Sequence, residues 1–249
     1  MKKNSLLWIE IGEKASTFRS ENGYGPTDPI LLNSLLLKKN IITLFKPLTE
    51  KFSGMAIKAS EDLHFILINQ NHTLGKQHFT FGHEIYHLFV QENFISQRCN
   101  TGLFDQQKDN EEKKADFFAA CLLMPENGII QLIPNAERQK KNLISDETLF
   151  RIQQYYGLSV NAVIYRLCEL KYIDSSYFDK YNSGKILLAK KLGFDDKLYK
   201  PGNFNKVIGD YGSLVNRLYQ NKKISESYYL ELLNAINIDP FSPAENDCE

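Results

Sequence analysis

One short stretch restricts the fold and the chemistry of this chain more than any other: residues 79–91, which read F-T-F-G-H-E-I-Y-H-L-F-V-Q. Its apolar residues recur at helical spacing, which predicts an amphipathic helix with one face in a core. His83 and His87 are four residues apart, so on that helix both imidazoles point to one side, one turn apart. Such a pair can bind a Zn²⁺ ion, and Glu84 is placed to act as general base toward a water at the metal.

A pair of helical histidines also has an ordinary explanation, because neighbouring polar groups can satisfy both rings. A catalytic zinc site therefore needs a third ligand from elsewhere in the chain. His64, His72 and His78 lie upstream of the motif, and each is expected to be an ordinary surface or hydrogen-bonded histidine and not a ligand or a catalytic group.

The composition is that of an ordinary globular protein. Of the 249 residues, 43% are hydrophobic and 24% are charged. Lys plus Arg equals Asp plus Glu at 30 each, so no cationic surplus drives binding to nucleic acid or an anionic membrane. The apolar run at residues 6–9 is too short for a secretory signal, and no stretch approaches a membrane span. The four cysteines are scattered and expected to be reduced, which predicts a cytoplasmic protein.

The region before the motif is predicted to contain two helices and a small sheet. The first helix covers residues 5–20, and the second begins at Asp28-Pro29, an N-cap followed by a first-turn proline, and ends near Asn40. Three apolar runs then have the character of strands, which predicts a small, largely antiparallel sheet ahead of the metal helix. These runs are residues 41–45, 54–59 and 63–69.

The third ligand is predicted in a helix over residues 110–124. Glu112 and Asp116 lie four residues apart on or beside its apolar face, and a buried carboxylate needs a partner. One alternative is a capping box with Asp109 as N-cap, which explains Glu112 but leaves Asp116 unexplained. A metal site explains both, because Glu112 then ligates the zinc and Asp116 accepts the N–H of a ligating histidine.

The two segments together resemble the ImmA/IrrE family of metallo-endopeptidases. The residues that carry the resemblance are F-T-F-G-H-E-I-Y-H-L and E-K-K-A-D-F-F-A-A-C-L-L-M-P, and it covers about residues 30–175. It implies an α+β fold, a zinc peptidase core of the gluzincin type with a small sheet and surrounding helices. By the same resemblance, His83, His87 and Glu112 are the metal ligands and Glu84 is the general base.

Two positions depart from the family pattern. Gly82 stands where alanine is common in the family, and Tyr86 stands where glycine is frequent. Tyr86 is bulky enough to narrow the cleft beside the predicted site, and we assign it no catalytic role.

Three segments are predicted along the chain: a zinc metallopeptidase core at 1–136, a helix-turn-helix-like subdomain at 137–174 and a helical C-terminal region at 175–249. In the middle segment, helices over 146–156 and 160–170 flank a tight turn. The second helix offers only Arg166 and Lys171 as cations, whereas helices that read DNA usually carry more. A packing role is therefore predicted in preference to DNA binding.

These observations predict a zinc-dependent endopeptidase. Three ligands without a nearby cysteine pair favour an open catalytic site over a closed structural one. The resemblance implies a helix-turn-helix transcriptional repressor as substrate, which makes the protein an anti-repressor in a phage, mobile element or stress regulon. No direct nucleic-acid binding and no membrane partner are expected. The alternative is a non-enzymatic, zinc-containing regulator whose C-terminal helices bind DNA or a protein partner.

Overall fold

The computed structural model describes residues 2–94, 96–99 and 110–238. Within these ranges the fold is α+β, with twelve α-helices around one five-stranded sheet. None of the helices in these ranges is both long enough and apolar enough to cross a membrane. The strands are β1 (Ile41–Lys46), β2 (Gly54–Lys58), β3 (His64–Asn69), β4 (Ser96–Cys99) and β5 (Val207–Ile208). The helices are α1 (Lys2–Glu21), α2 (Leu32–Lys38), α3 (Leu74–Phe89), α4 (Asn110–Leu123), α5 (Glu126–Leu132), α6 (Asn135–Arg138), α7 (Asp146–Tyr156), α8 (Val160–Glu169), α9 (Ser176–Lys180), α10 (Lys185–Lys191), α11 (Tyr211–Gln220) and α12 (Glu226–Asn234).

The sheet has the strand order β4-β2-β3-β1-β5. Three of its four pairings are antiparallel, and only β1 and β3 run parallel. The predicted small, largely antiparallel sheet is therefore confirmed, and its three predicted strands agree with β1 to β3 to within one residue at each end.

Helix α3 is buried because it packs on several sides at once. Phe81 and Leu88 join the cluster that covers the sheet, whereas Ile85 and Tyr86 join the cluster between α1 and α4. Gly82 allows α4 to come close, since a Cβ at this position would lie 2.8 Å from Leu123 Cδ1. The amphipathic helix predicted from the motif is thus a central element of the fold, which removes its polar residues from solvent.

The predicted helix-turn-helix-like pair is confirmed as α7 and α8. Ser145 and Ser159 cap the two helices by accepting hydrogen bonds from backbone N–H groups at 3.2 Å. Gly157 ends α7 in the left-handed conformation, with φ of 66°, which a residue with a side chain rarely adopts. One hydrophobic cluster includes Phe79 of α3 and Ile164 of α8, so the first two predicted segments share a core. The division into three segments stays a prediction.

The predicted start of the second helix was wrong. Helix α2 begins at Leu32, four residues after Asp28. The Asp28 carboxylate accepts a hydrogen bond from the Gly25 N–H at 2.8 Å. The backbone carbonyl of Asp28 accepts another from the Arg19 guanidinium at 2.5 Å. These contacts hold Asp28 in a turn and prevent it from capping a helix.

The prediction of a helical C-terminal region missed a strand. β5 pairs antiparallel with β1, with Thr43 opposite Ile208, and extends the sheet at that edge. The side chain of Gln77 in α3 donates to the carbonyl of Gly202 at 3.1 Å and accepts from Asn203 at 3.0 Å. The C-terminal region is therefore attached to the sheet and to the start of α3.

Candidate metal centre

The two motif histidines face each other on α3. Neither His83 nor His87 has any exposed surface, and their Nε2 atoms lie 3.1 Å apart. Their spacing of four residues on a regular helix produces this approach, as the sequence predicted.

Helix α4 supplies the predicted carboxylate. One oxygen of Glu112 lies 3.3 Å from His83 Nε2 and the other lies 3.4 Å from His87 Nε2. In the described part of the chain, these three residues form the one group able to hold a metal ion, with ligand atoms within 4.8 Å of one another. Asp109, the N-cap of the capping-box alternative, lies outside the described residues.

Each histidine is held by a hydrogen bond from its other ring nitrogen. His83 Nδ1 donates to Asp116 Oδ1 at 2.8 Å, and His87 Nδ1 donates to Gln91 Oε1 at 2.5 Å. With the protons on Nδ1, both Nε2 atoms present lone pairs toward each other and toward Glu112. Three electron-rich groups at such distances repel one another unless a cation lies among them. The donor set therefore fits a divalent metal ion.

The charge of the third donor follows from its surroundings. Burial alone would raise the pKa of Glu112, but its contacts with the His83 and His87 rings outweigh burial and hold the pKa well below its usual range. Glu112 is therefore a carboxylate at neutral pH, ready to neutralise part of a metal ion's charge.

The predicted general base is buried beside the strand β2. Glu84 has no exposed surface, and its Oε1 would lie 2.9 Å from a Cβ placed on Gly54. The same Cβ would lie 2.6 Å from Thr80 Cγ2. Gly54 thus leaves the space that the Glu84 carboxylate occupies, a role that no local pattern around residue 54 could have revealed.

Three more residues near the site were not assigned a role from the sequence. Gln91 orients the His87 ring. The only feature of the sequence that points to this contact is the spacing of four residues between His87 and Gln91. The ring of Phe94 stacks on that of His87, with centroids 5.2 Å apart and planes at 24°. The hydroxyl of Tyr86 donates to Glu111 Oε2 at 2.9 Å, next to the third donor in sequence.

The remaining histidines lie outside the metal group. The His64 ring packs against Phe89, with centroids 5.0 Å apart and planes tilted by 43°. His72 Nε2 donates to the carbonyl of Glu50 at 2.9 Å, and His78 Nδ1 donates to the carbonyl of Gly157 at 2.7 Å. Burial lowers the pKa of all three.

An α+β domain with an H-E-x-x-H helix and a glutamate donor on a second helix is the arrangement typical of metallopeptidases. Residues 38–168 match the family model of Peptidase_M78, described as the IrrE N-terminal-like domain. The match spans more than half of the chain, so the protein belongs to this family, as the resemblance of its motifs indicated. The matched region includes α7 and nearly all of α8. No curated protein matches the chain.

Proposed function

We propose that this protein is a zinc-dependent endopeptidase that acts on a cytoplasmic protein. The observation that carries the proposal is the buried group of His83, His87 and Glu112 with the Glu84 carboxylate on the same helix. A site with three protein donors leaves a coordination position for water or substrate, which is the catalytic pattern.

The donor atoms for the metal are Nε2 of both histidines and the carboxylate of Glu112. A zinc ion held there would act as a Lewis acid, polarising the scissile carbonyl and lowering the pKa of water. Asp116 and Gln91 keep each ring in the tautomer that offers Nε2, and the negative charge of Asp116 also makes the His83 ring more basic.

Glu84 performs the proton transfers. Its carboxylate accepts a proton from the attacking water and then donates that proton to the nitrogen of the leaving amine, which breaks the peptide bond. The close fit between Gly54 and Glu84 Oε1 fixes the position of the base, because little space is left for the carboxylate to turn away.

The substrate we propose is a helix-turn-helix transcriptional repressor, so that cleavage relieves repression. The family resemblance supports this choice. The surface of α8 supports a protein partner over DNA, since Arg166 is only 6% exposed and donates from Nε to the carbonyl of Met124 at 3.1 Å. A guanidinium used in this way contributes little to binding a phosphate backbone.

The test is to mix the purified protein with a helix-turn-helix repressor encoded beside its gene and to look for a discrete fragment by mass spectrometry. Wild type should produce the fragment, and a chelator or the Glu84→Gln variant should prevent it. Sequence-specific binding to duplex DNA at physiological salt, without cleavage of any such repressor, would favour the non-enzymatic regulator instead.

A further inference from the structure

A second cavity lies away from the metal centre, where α3 and α8 begin. Its volume is about 230 Å³, and its walls come from α3, α8, α10 and the turn at 197–199. It therefore lies where the peptidase helix, the helix-turn-helix-like pair and the C-terminal region meet. Phe79 lines it one turn before His83, so a molecule in the cavity would contact the helix that carries the metal donors.

The charged side chains that line this cavity are all positive. Lys76 and Lys185 line it, and no carboxylate belongs to its described lining. Lys185 makes no ion pair with any residue in the described ranges. Cations that line a cavity without carboxylates attract an anion.

Several polar groups at the cavity make no hydrogen bond within the described ranges. Thr73 is the N-cap residue of α3, yet its side chain does not cap the helix. The amide of Asn161 has no partner there either. Behind the wall, fully buried Gln153 accepts the Tyr199 hydroxyl at 3.0 Å, whereas its Nε2 donor has no partner among the described residues.

The backbone adds to the positive character of the cavity. The two helix starts are in contact, since a Cβ on Gly75 of α3 would lie 2.7 Å from the backbone nitrogen of Ser159. Helix N-termini carry a partial positive charge, which adds to the charge of the lysines. On the other side, Phe79, Ile186 and Leu198 provide an apolar wall.

We propose that this cavity binds a small organic anion, a phosphate or carboxylate group attached to a compact apolar body. The anionic group lies near Lys185 and the helix starts, and the apolar body lies against Phe79 and Leu198. The volume is below that of typical pockets for drug-sized molecules, about 300–1,000 Å³, which restricts the ligand to a small one. This site is separate from the proposed peptidase activity and does not depend on it.

The experiment is a calorimetric titration of the full-length protein with phenyl phosphate, benzoate, benzyl alcohol and inorganic phosphate. The two ring-bearing anions should bind, the stronger of them showing which anionic group is preferred. Benzyl alcohol, which has the ring but no charge, should not bind, and inorganic phosphate should bind more weakly than phenyl phosphate. A parallel titration in chelator should give the same affinities, which separates this cavity from the metal centre.

Two lysine variants on one helix locate the site. Lys185→Gln should weaken binding of the preferred anion at least about tenfold. Lys191→Gln, the same change at the exposed last residue of α10, should leave it unaltered. Circular dichroism would verify that both variants are folded, and NMR shifts at Val160 and Asn161 on titration would place the ligand.

Three results would overturn the proposal. The first is no saturable binding of either anion at about 1 mM, the weakest affinity that such a site would usefully have. The second is equal weakening by both lysine variants, which would indicate general attraction to a basic surface. The third is benzyl alcohol binding as tightly as the anions.

Discussion

Tyr86 of α3 and Glu111 of α4 are joined by a hydrogen bond of 2.9 Å from the tyrosine hydroxyl to Oε2. This bond ties the metal helix to the residue that precedes the third donor, Glu112. Burial and the contact with Glu111 raise the pKa of Tyr86 above its ordinary range, so the hydroxyl keeps its proton and the bond persists at neutral and alkaline pH.

Tyr86→Phe should therefore leave the fold intact and weaken metal binding by roughly tenfold, the lower end of the effect expected for groups that orient a ligand. Competition with a chromophoric chelator measures the affinity. Tyr155→Phe is the matched control, because Tyr155 is 46% exposed on α7. Unchanged metal affinity in Tyr86→Phe would show that the hydroxyl only fills space.

Asp116→Ala should weaken metal affinity roughly tenfold to a hundredfold, because His83 loses the acceptor that fixes its tautomer. Gln91→Ala should act in the same direction through His87 and more weakly, since the lost acceptor is uncharged. The same chelator competition gives both values. A Gln91 effect larger than the Asp116 effect would contradict the electrostatic part of this account.

Gly54→Ala tests the placement of the general base. Its Cβ would press on Glu84 Oε1 and Thr80 Cγ2, so the carboxylate must shift while the metal donors stay in place. We expect normal metal content and a loss of kcat of about a hundredfold, as for misplacements near 1 Å. Gly212→Ala is the control, because a Cβ there meets nothing within 4 Å. Full activity in Gly54→Ala would show that Glu84 is not held by this contact.

The H-E-x-x-H motif and the later carboxylates predicted the site because helical periodicity alone places residues four apart on one face. That periodicity pairs His83 with His87 and Glu112 with Asp116, and the packing of α3 on α4 brings the two pairs together. Gln91 followed the same spacing, but a single glutamine near a helix end carries no chemical signal.

Other features depend on particular contacts that residue propensities and periodicity do not encode, and they could not be predicted. Gly54 matters only because the sheet packs over Glu84. Asp28 failed as an N-cap because Arg19 and Gly25 use its oxygens, and neither contact follows from local propensity. The two-residue strand β5 is too short to give an alternating pattern and exists through pairing with β1.

The metal-free protein should lose stability as the pH falls below about 6.5, which is the ordinary pKa of a histidine side chain. Burial lowers the pKa of His78 in the folded state, so in this range the unfolded chain takes up a proton that the native state does not. His78→Asn, which keeps a donor for the Gly157 carbonyl, should reduce the slope of stability against pH. Urea unfolding at several pH values measures it, and an unchanged slope would exclude His78 as a contributor.

Glu84→Gln should retain the metal and the fold yet cleave no substrate, since the amide is nearly isosteric and cannot accept the proton. Undiminished cleavage by this variant, under conditions where wild type is active, would remove Glu84 from the proposed mechanism.

The metal content of the purified protein, measured by elemental mass spectrometry, tests the central claim most directly. Wild type and Glu84→Gln should each carry about one zinc ion per chain, the number for a catalytic site with three protein donors. His83→Ala, His87→Ala and Glu112→Ala should carry little or none while remaining folded. Full zinc content in His83→Ala or His87→Ala would contradict the metal centre described here.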